Sequence, residues 1–185
     1  MPNRTVAVIV GSLRRESFSR RLAVALVALA PAELALTIVE IRDLALYDED
    51  TEANPPAPWL AFRDQVRAAD AVLFVTPEYN RSIPGALKNA LDVGSRPYGH
   101  SVWSGKPAAV VSNSPGALGG FGANHHLRQC LVFLDMPALQ QPEVYLGGVN
   151  TLLGGPGEIA NEGTRTFLTG FLVTFARWIE HTHRR

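Results

Sequence analysis

Val6-Ala7-Val8-Ile9-Val10-Gly11-Ser12-Leu13-Arg14-Arg15-Glu16-Ser17 is an apolar run, a glycine, and then a loop of hydroxyls and charges. A short run without polar alternation, rich in β-branched residues and ended by glycine, predicts a strand buried on both faces. A helical pattern starts near Ser17, with Phe18, Leu22, Leu26 and Leu29 on one face. Strand, loop, helix is therefore the opening unit, and it recurs along the chain.

Two further runs, Ala71 to Val75 and Ala108 to Val111, are apolar throughout and predict buried strands of the same kind. Leu36 to Ile41 includes Thr37 and Glu40 and reads as a strand nearer an edge. A fifth, weaker strand is expected at Ala138–Gln140 or at Val144–Leu146. Helices are predicted over Leu60 to Ala69, from Pro84 through Leu87, Ala90 and Leu91, over Asn124 to Leu134, and over Thr164 to His181. The alternation predicts an α/β three-layer sandwich on a parallel sheet with right-handed crossovers. Tyr47–Pro58 and Gly147–Gly163 stay irregular, and the Gly-rich second stretch is the candidate for a lid or an interface arm. No internal repeat or linker divides the chain, so residues 1–185 are expected to form one domain.

In such a sheet ligands bind beyond the carboxyl ends of the strands, where strand order reverses. Three unusual loops fall there: Gly11 to Ser17, Pro77-Glu78-Tyr79-Asn80-Arg81-Ser82, and Ser114-Pro115-Gly116-Ala117-Leu118-Gly119-Gly120. The first offers Ser12, Ser17, Ser19, Arg14 and Arg15 around a helix N-terminus, which suits a phosphate. No Gly-Lys-Ser/Thr follows Gly11 and no Gly-x-Gly-x-x-Gly is present there, so a mononucleotide phosphate fits better than a pyrophosphate. Tyr79 and Asn80 supply a flat surface and an amide for a planar heteroaromatic ring. Glu78 reads as an exposed loop carboxylate rather than a general base, and Gly116, Gly119 and Gly120 as places where backbone approaches a ligand closely.

Other residues read plainly. His125 and His126 point in different directions on a helix and do not chelate one metal; no metal site is expected. His181, His183, Arg184 and Arg185 place positive charge at a helix C-terminus, where it is favoured. Cys130, the single cysteine, excludes an intramolecular disulfide and reads as a small apolar residue within a helix.

Composition narrows the function classes. Lys plus Arg equals Asp plus Glu at 17 each, so the basic excess of a nucleic-acid binder is absent. The apolar share of 46% is that of a globular domain, and the charged share of 18% is low enough to favour a subunit that buries surface in an oligomer. Met1 to Arg4 is followed by only six residues before Gly11, too few for a signal peptide, and no apolar run reaches the roughly 20 residues a membrane helix needs. The expectation is a cytoplasmic protein with no membrane or nucleic-acid partner.

The chain resembles the NAD(P)H-dependent FMN reductase family with a flavodoxin-like fold, which includes bacterial quinone and chromate reductases and azoreductases. The resemblance runs from Val6 to about Gly147 and rests on Gly11 to Ser19, on Thr76 to Asp92 and on Ser114 to Gly120. It implies a five-stranded sheet in the order 2-1-3-4-5. It implies FMN, with Ser12, Arg14, Ser17 and Ser19 on the phosphate and Phe18 in the same set. Pro77, Glu78, Tyr79 and Asn80 would follow the isoalloxazine edge with Ser82 close by, and Ser114 and Gly116 would flank the ring or ribityl chain. It also implies a homodimer or homotetramer joined through the third and fourth helices. Val93 stands where many members carry an aromatic, Phe121 where an Arg often follows Gly-Gly, and Ser19 where many have Asn.

The activity implied is ping-pong: NADPH or NADH reduces the flavin and leaves, then an acceptor takes its place. The acceptor would be a quinone, free flavin, an azo compound or an oxyanion such as chromate. The flavin carries the chemistry, which accounts for the absence of a catalytic acid–base pair. Arg15 or Arg81 is a candidate for the NADPH phosphates. The alternative is a flavodoxin-type electron carrier without its own NAD(P)H reaction, against which the neutral charge counts. A third reading, a regulatory protein that has lost flavin, is disfavoured by the intact Ser12, Arg14, Ser17 and Tyr79-Asn80.

Overall fold

The computed structural model describes residues 3–183. Arg184 and Arg185, expected to complete a basic helix end, lie outside the described residues. The strands are β1 (Arg4–Val10), β2 (Leu34–Val39), β3 (Ala71–Pro77), β4 (Ala108–Asn113) and β5 (Val144–Leu146). All pairings are parallel, in the order β2-β1-β3-β4-β5, so the expected topology is present. The helices are α1 (Phe18–Ala28), α2 (Ala57–Ala68), α3 (Gly85–Gly94), α4 (Phe121–Phe133), α5 (Val149–Leu152) and α6 (Glu162–His183).

The strands read as unbroken apolar runs because each feeds two cores. Val6, Val8 and Val10 of β1 pack with Leu22 and Leu26 of α1 and Phe171 and Phe175 of α6. The alternate residues Ala7 and Ile9 pack with Phe62 of α2, Leu87 of α3 and Leu127 of α4. Ser17 caps α1, its Oγ accepting the amide of Arg20 at 3.0 Å. Both candidates for the fifth strand pair with β4: Ala138 bridges Ala108, and Val144–Leu146 forms the ladder beyond it.

The Gly-rich stretch after β5 is folded onto the body of the chain. It contains α5 and a bridge between Leu153 and Ile159, and Arg21 of α1 donates to the Gly154 carbonyl at 2.8 Å. Val149 and Ile159 are buried with the α1–α6 core, so this segment is packed rather than standing off as an arm. Among the described residues no helix is long and apolar enough to cross a membrane.

Candidate functional site

The loops after β1, β3 and β4 share one edge of the sheet and line an open cleft of about 190 Å3. Of the residues expected from sequence, Ser12, Arg14, Ser17, Phe18, Ser19, Pro77, Glu78, Tyr79 and Ser114 line this cleft. Asn80, Ser82 and Gly116 do not. Asn80 sits in the turn after β3 at φ 53°, and Ser82 meets Nδ1 of His126 at 2.6 Å. Gly116 donates its amide to Ser114 Oγ at 3.1 Å. Asn113 and Pro115 also line the cleft and were not singled out from sequence.

The end of the cleft at the start of α1 carries donors of the kind an anion would use. Ser12 and Ser17 are buried polar residues, Ser17 as the N-cap of α1 and Ser12 in the loop leading to it, beside the positive end of the helix dipole. The backbone amide of Arg14 donates to Ser12 Oγ at 3.3 Å, closing the turn. Its guanidinium donates to the Glu16 carbonyl at 2.9 Å and lies 5.9 Å from the Phe18 ring centroid, using part of its five-donor fork. Gly11 lets this loop start close to β3, since a Cβ there would stand 2.6 Å from Thr76 Oγ1. Ser19 lines the cleft, but its hydroxyl is engaged with Asn113, whose Nδ2 donates to Ser19 Oγ at 3.0 Å and to the Thr76 carbonyl at 3.2 Å. Asn113 thereby ties α1, β3 and β4 together beneath the cleft. Its signal in sequence was its place as a polar residue ending a buried apolar strand.

The other end is flatter and less polar, with Pro77, Pro115 and the half-exposed ring of Tyr79, whose hydroxyl lies 3.5 Å from Ser12 Oγ. Glu78 is not the exposed carboxylate expected. Its side chain is 13% exposed, pairs with Arg81 at 3.4 Å and accepts the amide of Ala123 at 3.0 Å. A carboxylate at the start of α4 satisfies an orphan amide and the positive end of the helix dipole. Gly122 makes room for it, as a Cβ there would stand 2.9 Å from Glu78 Oε2. Glu78 therefore positions the Tyr79 loop against α4.

The glycines of the third loop also differ from expectation. A Cβ on Gly119 would meet Tyr145 and Leu146 backbone atoms at 2.6 and 2.8 Å, so this glycine serves the approach of the loop to β5. Gly120 caps α4 at φ 79° beside Ser112 and Asn113. Gly116 alone of the three has open space nearby, with Ser114 Oγ at 3.5 Å the single atom near its absent Cβ. The two histidines of α4 diverge as anticipated: His126 turns to Ser82, and His125 Nε2 meets the Tyr145 hydroxyl at 2.9 Å. Burial, with Glu143 alongside, pushes the Tyr145 phenol up to about 12.

The donor set fits FMN. Hydroxyls, amides and one arginine at a helix start match a phosphate monoester, and the prolines and Tyr79 match a planar ring. Comparison with known proteins agrees. Residues 4–151 match the family model described as NADPH-dependent FMN reductase. The chain is 64% identical over 177 residues to a quinone reductase of Pseudomonas putida, covering 95% of each protein. It is 46% identical to a 2-hydroxy-1,4-benzoquinone reductase from a Burkholderia species, over 94% of this chain and 95% of that one. Among solved structures it superposes on FerB, a flavoenzyme NAD(P)H:(acceptor) oxidoreductase from Paracoccus denitrificans, with a TM-score of 0.92 at 41% identity, over 97% of this chain and 98% of the other.

Proposed function

The chain belongs to the NADPH-dependent FMN reductase family, and from that premise we propose that it reduces quinones with electrons from NAD(P)H at the cleft described above. The observation that carries the reading is the meeting, in one cleft, of a phosphate-type loop and an apolar, ring-sized end at the strand-order reversal between β1 and β3. Ser12, Arg14 and Ser17 would hold the FMN phosphate, with Phe18 alongside and Ser19 acting through Asn113. Pro77, Glu78, Tyr79 and Ser114 would shape the ring site, with Asn80, Ser82 and Gly116 at its margin. Bound FMN supplies a hydride acceptor and an electron donor in one place, so donor and acceptor would be used in turn, a ping-pong cycle. The protein's own share is to bind the phosphate, fix the loop carrying Tyr79 through Glu78, and keep one side of the cleft open to a planar partner. Free flavin, azo compounds and chromate are further acceptors consistent with such an open site. We take residues 1–185 to act as one domain.

A visible spectrum of the protein loaded with FMN and desalted tests the reading. Under argon, NADPH or NADH should remove the flavin absorbance, and a benzoquinone should restore it. Absorbance that persists with both nicotinamides would favour the electron carrier instead. Loss of FMN on desalting, with no affinity in titration, would refute the site.

A homodimer or homotetramer is the assembly we propose. Val132 and Phe133 at the end of α4 are 81% and 90% exposed, and Tyr98, with Phe133 on the rim of a neighbouring cavity of about 510 Å3, is 89% exposed. Apolar side chains so exposed on one region mark an interaction surface. Val132→Asp with Phe133→Asp should convert the oligomer to a monomer in light scattering while leaving the unfolding midpoint within a few degrees. An unchanged mass would remove this face from the interface.

A further inference from the structure

The Gly-rich segment after β5 lines no part of the flavin cleft, yet it is joined to side chains that do. Arg21 of α1 donates to the Gly154 carbonyl at 2.8 Å, and its guanidinium lies 5.9 Å from the Phe18 ring centroid. The Arg14 guanidinium lies 5.9 Å from the same centroid. Both are within the reach of a cation–π contact. Phe18 and Arg14 line the cleft at the start of α1, so Gly154, Arg21, Phe18 and Arg14 form one continuous run of contacts.

Charge makes this run more than packing. A helix dipole disfavours cations in the first turn, and α1 carries Arg20 and Arg21 there with no acidic residue. Glu40 offsets Arg20 at 2.6 Å. Arg21 pairs with no carboxylate among the described residues and is held by a carbonyl and a ring instead. The carbonyl that holds it is itself fixed. The Gly154 amide donates to the Glu158 carbonyl at 3.1 Å, and Glu158 Oε2 accepts the Gly155 amide at 2.9 Å. Leu153 and Ile159, which flank the turn, are bridged to each other and buried.

We propose that Arg21 is a positioning residue for the FMN phosphate, holding the Phe18 ring against which Arg14 rests, and that the Gly-rich turn between Leu153 and Ile159 is coupled to FMN binding through it. The inference rests on the reading of the cleft as the FMN site and gives the Gly-rich segment its part in that site. Coupling of this kind is reciprocal, so what the turn does for the phosphate, the phosphate does for the turn.

Hydrogen exchange over residues 153–160 of the unaltered protein is the first test. Saturating FMN should slow exchange there about threefold or more, and saturating riboflavin, which lacks the phosphate, should not. In fluorescence titration Arg21→Met, which removes the cation and the donor, should weaken FMN about three- to tenfold and leave riboflavin within about twofold. Phe18→Leu should cost FMN a similar factor. The double variant should lose no more than the larger single loss, because the two residues act in series.

Exchange that FMN leaves unchanged, or that riboflavin slows equally, would overturn the proposal. So would a parallel loss of riboflavin in the Arg21 variant, which marks a collapsed loop, or losses that multiply in the double variant, which mark two independent effects. FMN bound as tightly by the Arg21 variant as by the parent would sink this inference alone. No FMN affinity in the unaltered protein would take the site reading with it.

Discussion

Arg14→Ala combined with Ser17→Ala is expected to weaken FMN binding about a hundredfold while leaving riboflavin binding almost unchanged. A hydrogen bond to a charged group contributes about 1.5–3 kcal/mol, and loss of an N-cap costs about 1 kcal/mol. Together they approach about 3 kcal/mol, or two factors of ten in affinity. Arg14 is the arginine on the cleft and would meet the phosphate, and Ser17 orients the first turn of α1 by accepting the Arg20 amide. Riboflavin lacks the phosphate and so isolates the ring site. Fluorescence titration of both flavins against both proteins gives the result. An equal loss for riboflavin would show that the double substitution acts by unfolding the loop, and an unchanged FMN affinity would remove the phosphate from this place.

Gly119→Ala should be the most damaging single methyl group in the third loop, costing roughly 3–5 kcal/mol of stability from strain at positive φ and overpacking. The φ of +60° is unfavourable for any side chain, and the new Cβ would meet Tyr145, Leu146 and Gly147 backbone atoms within 2.6–2.9 Å. All three of these neighbours are backbone atoms, so none is a flexible side chain that could yield. The same reading predicts that Gly116→Ala, with nothing nearer than Ser114 Oγ at 3.5 Å, stays within about 0.5 kcal/mol of the parent. Urea unfolding of the two variants side by side makes the comparison. A Gly119 variant as stable as the Gly116 variant would mean that the contact between this loop and β5 is loose. Because Ser114 and Pro115 lie on the same loop, FMN affinity should fall with Gly119→Ala as well.

The sheet was legible because β1, β3 and β4 are buried on both faces, and such strands are written without interruption. The meeting of the three loops at one edge followed from the parallel sheet, and the gathering of Ser12, Arg14 and Ser17 before a helix was visible in the sequence. What sequence could not provide was contact between distant segments. The start of α4 was read as Asn124 but lies at Phe121, since Gly120 at φ 79° and Gly122 resemble a turn until Glu78 is seen to cap that end. Arg42 belongs to the loop after β1 through Leu13, although β2 separates them in the chain. Asn113 gains its meaning from Ser19 and Thr76, and neither partner is near it in sequence.

The strand order has a consequence for how the chain reaches its native state. β1 lies between β2 and β3, so Val6 faces Leu36 on one side and Ala71 on the other. The crevice between β1 and β3 exists only after the intervening α1, β2 and α2 have been placed. Contacts of such long sequence separation close late and slowly. A partly synthesised or partly refolded chain can therefore hold α1 and β2 in place while still lacking the opposite wall of its cleft. Flavin capture during refolding would thus act as a clock for the final assembly of the sheet, running behind the recovery of helical signal.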